Sequence, residues 1–166
     1  VDRRIAGAFV PKFVESVRAV KTGDPSDPSV VVGPMISRAD AERAASWVDQ
    51  AVAAGARVLV GGVRAGQLFM PTVLDRVDET MRVVSEEIFA PVVCLMEFDR
   101  IADAVARANA SPFGLAAGLF TADLRTALAM SRQLRFGSVH VNEASSARVD
   151  AMPFGGVKDS GFGREG

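Results

Sequence analysis

PVVCLMEF (residues 91–98), DRIADAVARANA (99–110), SPFG (111–114) and LAAGLF (115–120) together decide the fold class. The first piece is apolar at nearly every position, the pattern of a strand buried on both faces of a parallel sheet. In the second, Ile101, Ala102, Val105 and Ala108 recur at helical spacing behind Asp99, which predicts a capped helix. Ser111-Pro112 interrupts it, and Leu115 to Phe120 is predicted as a second buried strand.

The alternation continues on both sides. Downstream, Thr121 is the predicted cap of a helix carrying Leu124, Leu128 and Leu134, Gly137 ends it, and Ser138 to Asn142 reads as a strand. Upstream, Val10, Phe13, Val14, Val17 and Val20 share one helical face, with Pro11 expected in the first turn. Gly23-Asp24-Pro25 closes that helix. Ser37 with Asp40 predicts an N-cap and an acid at the third helical position, ahead of Ala44, Trp47, Val48, Ala51 and Val52 on one face and a stop at Gly55. Arg57 to Val60 is a short strand, and Gly66 to Asp75 a loop feeding an extended piece at Pro71 to Leu74. Such alternation implies βαβ units with right-handed crossovers: a three-layer α/β fold with a mostly parallel sheet flanked by helices. Active-site loops in these folds lie beyond the carboxyl ends of strands. The segment before Pro91 and the loop after Asn142 are the candidates.

Bulk properties narrow the function classes. At 166 residues the chain suits one compact domain with a substantial core. A net charge of −1 gives no electrostatic footprint for nucleic acid or an anionic membrane. No apolar run approaches a membrane span, and no signal peptide opens the chain. One Cys and one His exclude an internal disulfide and make no zinc site, so a cytoplasmic setting is expected. The chain starts on Val1 within an apolar-polar pattern and stops in a glycine-rich stretch, which suggests a fragment.

Several motifs carry nothing alone. Gly161 to Gly166 matches GxGxxG, but a dinucleotide fingerprint requires a preceding strand and a following helix. Gly156 to Gly161 has P-loop spacing, with Phe162 where Lys is required. Cys94 lies mid-strand without a neighbour to stabilise a thiolate and reads as a packed core thiol. His140, in SVHVN (138–142), reads as a hydrogen-bonded strand residue.

EEIFAP (86–91) differs in kind. It sets two carboxylates before an apolar pair and a proline, leading into the most strand-like run. One carboxylate can accept from both hydroxyls of a ribose, and an adjacent Phe can support a flat ring. A solvated turn has the same composition. The stretch closely resembles the EEIFGP motif of the aldehyde dehydrogenase superfamily. Other landmarks of that family follow its order: Gly23-Asp24-Pro25, VGP (32–34), PTVL (71–74), FGLAA (113–117), and PFGGVK (153–158) running into Ser160-Gly161. The resemblance covers essentially the whole chain.

The resemblance implies the C-terminal part of a catalytic domain in an enzyme using NAD or NADP. Such enzymes oxidise an aldehyde to an acid through a cysteine thiohemiacetal and thioester. Glu87 matches the glutamate that binds the nicotinamide-side ribose, and Phe89 the aromatic residue packed against the nicotinamide. Glu86 is expected to support the loop. Phe154 matches an aromatic wall of the substrate tunnel. Ala90 stands where the family usually has Gly. No catalytic residue is expected within the chain: the nucleophilic Cys should lie upstream of Val1, the general base and cofactor domain further upstream, and a terminal oligomerisation strand beyond Gly166. The isolated chain is therefore expected to be inactive, and the parent to be a homodimer or homotetramer. A truncated, non-catalytic paralogue serving assembly or binding is the alternative. Residues 148–161 resemble the RVDxMPxGGVKDSG pattern of the branch acting on lactaldehyde, phosphonoacetaldehyde and glyceraldehyde-3-phosphate, with Ala151 replacing a common His. Succinate semialdehyde is the rival substrate. Arg148 then suits the anionic tail of a small aldehyde, since a guanidinium binds such groups through parallel hydrogen bonds. Pairing with Asp150, or simple exposure, is equally open to it.

Overall fold

A computed structural model describes all residues, 1–166, as two compact units, Val1–Asp99 and Arg100–Gly166. The α/β class holds, but the strand pairing is mixed, with two parallel pairings and three antiparallel ones.

The first unit contains α1 (Arg3–Arg18), α2 (Arg38–Ala53), β1 (Arg57–Val60), β2 (Arg64–Ala65), β3 (Leu68–Phe69), β4 (Thr72–Asp75), α3 (Arg82–Ser85) and β5 (Val92–Cys94). Helix α1 starts earlier than its apolar pattern suggests, because the Asp2 side chain accepts from the Arg4 amide. Pro11 consequently lies inside the helix rather than in its first turn. A proline inside a helix crowds the carbonyl four residues back, and the residue there is Gly7, where an added β-carbon would meet nothing within 4 Å. Helix α2 follows its sequence signals closely. Ser37 accepts from the Asp40 amide at 3.1 Å, and Ala44, Trp47, Val48 and Ala51 are buried. Val52 is not, being 44% exposed. Gly55, at φ +108°, ends the helix in a conformation that suits glycine.

Strand order in the main sheet is β1-β4-β5, with β1 antiparallel and β5 parallel to the central β4. The strand buried on both faces is β4: Thr72, Val73 and Leu74 are each at most 1% exposed. The 91–98 run, expected to be that strand, pairs with β4 only over Val92–Cys94 and leaves Val93 43% exposed. Its later residues change partner, with the Phe98 amide donating to the carbonyl of Val1 and the Arg3 amide to that of Phe98. Asp99 does not cap the next helix; its carboxylate pairs with Arg3 at 2.9 Å. The β2–β3 hairpin turns about Gly66, so that β3 lies within the stretch that reads as a loop and β2 just before it. Beneath the sheet, Trp47, Val48, Phe69, Leu74, Met81 and Val83 form the core, with Ile88, Ala90 and Cys94 packed against it.

The second unit contains α4 (Ile101–Ala110), β6 (Phe113–Gly114), β7 (Ala116–Leu119), α5 (Leu124–Gln133), β8 (Ser138–Val141) and β9 (Val157–Lys158). Strands β7 and β8 are parallel, with α5 between them in the chain, which is the βαβ unit the alternation implies. Asp123, not Thr121, caps α5 by accepting from the Thr126 amide, while Thr121 accepts from the Asp123 amide one turn earlier. The helix ends at Gln133, before Gly137. It buries Ala127 and Met130, while Leu124 and Leu128 are 71% and 51% exposed. Leu115 and Phe120, at either end of β7, are also exposed. Strand β9 returns antiparallel to β6.

Candidate functional site

The two candidate loops fall in different units: Glu86–Pro91 between α3 and β5, and residues 143–165 after β8.

In the first, chain direction is set by what lies under the loop. Ile88 and Ala90 face the core. The Ile88 carbonyl accepts from Arg43 Nη1 at 2.9 Å, and the Pro91 carbonyl accepts from the Thr72 amide at 2.8 Å. With its neighbours turned inward, Phe89 must turn outward. It does so at φ +50°, the left-handed region, with the residue 64% exposed. A side chain held at such a φ costs on the order of 1–3 kcal/mol unless its surroundings impose it. Glu87, next to the anchored Ile88, is exposed and has no hydrogen-bonding or ionic partner in the chain. Glu86 is engaged. It accepts two bonds from Arg82, at 2.7 and 3.1 Å, which hold its carboxyl below the usual carboxylate range. The two adjacent acids are thus differentiated into one anchored and one free.

The second loop is bound by backbone contacts. Phe154 and Glu165 exchange amide–carbonyl bonds at 2.7 and 2.9 Å. This bridge brings Glu165 to Arg148, whose Nη2 donates to the carboxylate at 3.3 Å while its guanidinium lies 4.3 Å from the centre of the Phe154 ring. Asp150 is not the partner of Arg148. Further along, Lys158 Nζ donates to the carbonyls of Asn109, Ser111 and Phe113 at 2.9–3.2 Å. Ser160 Oγ accepts from the Gly114 amide at 2.9 Å. Gly161 and Gly163 adopt positive φ, and Arg164 donates to the carbonyls of Gly156 and Gly163. These contacts make the glycine-rich stretch a folded turn.

Cys94 donates weakly to the Val83 carbonyl, and burial pushes its thiol up to about 11. A thiol that ionises so reluctantly is a poor nucleophile near neutrality. His140 sits in β8 with Nε2 3.2 Å from Ser138 Oγ. Sequence reasoning missed Arg43, Arg82 and Glu165. Arg82 and Glu86 stand four apart, a spacing that predicts contact on a helix. The Arg43–Ile88 and Arg148–Glu165 contacts join residues 45 and 17 positions apart and have no local signal.

Comparison with known proteins brings both loops under one heading. The aldehyde dehydrogenase family profile matches residues 1–166. The 3-sulfolactaldehyde dehydrogenase of Priestia aryabhattai is 43% identical over 166 residues, covering all of this chain and 35% of that protein. The betaine aldehyde dehydrogenase of Sinorhizobium fredii is 43% identical over 171 residues, covering 99% of this chain and 35% of that protein. Among solved structures, glyceraldehyde-3-phosphate dehydrogenase GapN from Methanocaldococcus jannaschii, complexed with NADP, superposes with a TM-score of 0.95 at 39% identity. That match covers all of this chain and 36% of the other. The chain thus spans about a third of the length of the relatives it matches. With the profile matching from the first residue to the last, this chain belongs to the aldehyde dehydrogenase family.

Proposed function

We propose that this chain is the segment of an NAD- or NADP-dependent aldehyde dehydrogenase that grips the nicotinamide end of the cofactor and one wall of the aldehyde site. One observation carries this: Glu87 and Phe89 are presented outward, free of partners, from a loop whose intervening residue is anchored. An ionised carboxylate with unused acceptor oxygens fits the two hydroxyls of a ribose, and an exposed ring fits the face of a nicotinamide. The chemistry a nicotinamide cofactor supplies is hydride acceptance from the aldehyde carbon. The residues of this chain orient that cofactor and the aldehyde. The attacking thiolate comes from elsewhere in the complete enzyme, because Cys94 holds its proton in an apolar setting.

On the aldehyde side, Phe154 forms an apolar wall with Arg148 stacked on it. Arg148 gives that wall a cationic end suited to a carboxylate, sulfonate or phosphate tail, with Glu165 as the counter-ion that an anionic substrate displaces. The names of relatives leave this choice open, since 3-sulfolactaldehyde and glyceraldehyde-3-phosphate are anionic and betaine aldehyde is cationic. The guanidinium itself favours the anion.

The decisive experiment is Glu87→Gln in the complete enzyme. The amide keeps the shape and one acceptor but loses charge-assisted hydrogen bonding, a change of about 1.5–3 kcal/mol. Cofactor affinity is expected to fall about tenfold or more with the melting temperature unchanged. Wild-type cofactor binding in this variant would make Glu87 a solvated turn residue and remove the basis of the reading.

A further inference from the structure

We infer that Arg82 is a positioning residue for the cofactor loop. Stacked on Trp47, it fixes the Glu86 end of that loop in the backbone course that turns Glu87 and Phe89 outward. The inference deepens the proposed function and rests on it.

Trp47 is 6% exposed on α2, and two guanidinium groups share its ring, Arg82 at 4.2 Å from the centre and Arg43 at 5.2 Å. Each arginine also reaches the loop. Arg82 donates in parallel from Nε and Nη2 to the two oxygens of Glu86, and Arg43 Nη1 donates to the carbonyl of Ile88. The residues on either side of Glu87 are thereby tied to one buried indole, one by its side chain and one by its backbone. Glu87 is the untethered residue between two tethered ones. Its carboxylate keeps a defined origin without spending an acceptor oxygen on the protein.

Arginine is suited to this in a way lysine is not. Its flat face lies against the indole while its edge presents the two-pronged donor to a carboxylate. The Arg82–Glu86 pair is about half exposed on both sides, at 46% and 49%. An ion pair in that position contributes little to folding. Its ordering of the adjacent four residues is therefore separable from stability.

The test compares Arg82→Met and Arg82→Lys with the wild-type complete enzyme. Chymotrypsin cleavage after Phe89 is followed by mass spectrometry without cofactor, and cofactor dissociation constants are measured by calorimetry. Arg82→Met is expected to melt as the wild type does, to be cut roughly threefold or more faster, and to bind cofactor about tenfold more weakly. Arg82→Lys, keeping the charge without the fork, is expected between the two. Wild-type cleavage and binding in Arg82→Met would overturn the assignment. A lowered melting temperature in both variants, with Lys no better than Met, would also overturn it, by making Arg82 merely structural. Glu87→Gln measured alongside separates the layers. If it binds cofactor normally while Arg82→Met still accelerates cleavage, the clamp stands and the assignment of the loop to cofactor falls.

Discussion

The loop at 86–91 and the loop at 153–165 both carry family motifs, and they are held in opposite ways. In the first, side chains do the holding: Ile88 and Ala90 pack on a core of Trp47, Phe69 and Leu74, and two arginines tie down the rest. In the second, the missing side chains matter. A β-carbon on Gly137 would strike the Gly155 carbonyl, one on Gly155 the Gly163 carbonyl, and one on Gly156 the Ser160 carbonyl. Each loop also contains one non-glycine residue at positive φ. Phe89, at +50°, is held there by neighbours and points away, whereas Lys158, at +55°, is held there by its own ammonium on three carbonyls. The composition of a motif therefore means two things in one chain. In 86–91 it specifies groups to present, and in 153–165 it specifies room for backbone to meet backbone.

The largest expected effect breaks the second arrangement. Gly137→Ala puts a methyl within 2.9 Å of the Leu115 carbonyl oxygen and even closer to that of Gly155. Neither neighbour is a flexible side chain, so the backbone has to move. A destabilisation of about 3 kcal/mol is expected, at the upper end for overpacking. Thermal melting of the complete enzyme measures it. A variant that melts with the wild type would show that Gly137 is not packed between two carbonyls.

The two loops also differ in how much of them could be read from the chain. Helix α2 was legible because its cap, apolar period and terminating Gly55 all lie within 19 consecutive residues, and β1 was legible between two such breaks. Glu87 and Phe89 were singled out through the family motif and the chemistry of a carboxylate beside an aromatic ring, but their outward turn depends on the anchoring of Ile88, which the sequence does not reveal. The β2–β3 hairpin was not, because two-residue strands about Gly66 are too short for an alternating pattern to show. Apolar period correctly marked a helix through Leu124 and Leu128 but not the burial of those residues. It identifies a helix face without saying what lies against it, and here that face is exposed. Arg148 shows the same limit for charge. Asp150 is two residues away, yet Glu165 is the partner, because the Phe154–Glu165 bridge closes a turn that sequence separation does not reveal.

The next largest effect sharpens the contrast at that pair. Arg148→Met keeps an apolar contact for Phe154 and removes the cation. If Arg148 receives an anionic tail, kcat/KM for a small anionic aldehyde should fall roughly tenfold or more relative to a neutral aldehyde of similar size. Equal losses for the two substrates would assign Arg148 to holding Glu165 and the turn alone.

Cys94 gives a smaller, pH-dependent effect in the first unit. Its thiol is shifted from 9.0 up to about 11 by burial, so the folded state keeps a proton that the unfolded state releases sooner. The associated stability is therefore present below pH 9 and is lost as pH rises from about 9 through about 11. Alkylation by iodoacetamide at pH 8 is expected to be roughly a hundredfold slower than for an unshifted thiol, and to rise about tenfold per pH unit toward pH 11. Rapid labelling at pH 8 would place Cys94 outside the apolar packing around Val83 and reopen its candidacy as a reactive thiol.

The smallest effect isolates the strain at Phe89. Most of its ring lies outside the core, so removing the side chain sacrifices little buried area. Glycine adopts φ +50° without a β-carbon clash, whereas alanine retains the clash. Phe89→Gly should therefore be more stable than Phe89→Ala by about 0.5–1 kcal/mol, measured by melting without cofactor. Both variants lack the ring, so both should bind cofactor more weakly than the wild type and by similar factors. Stability and binding then move in opposite directions for Phe89→Gly: relief of strain raises the first while loss of the ring lowers the second. A Phe89→Gly variant less stable than Phe89→Ala would mean that the left-handed turn carries no strain there. The outward ring would then be a conformation of convenience, and the contrast with Lys158, pinned by three carbonyls at nearly the same φ, would disappear.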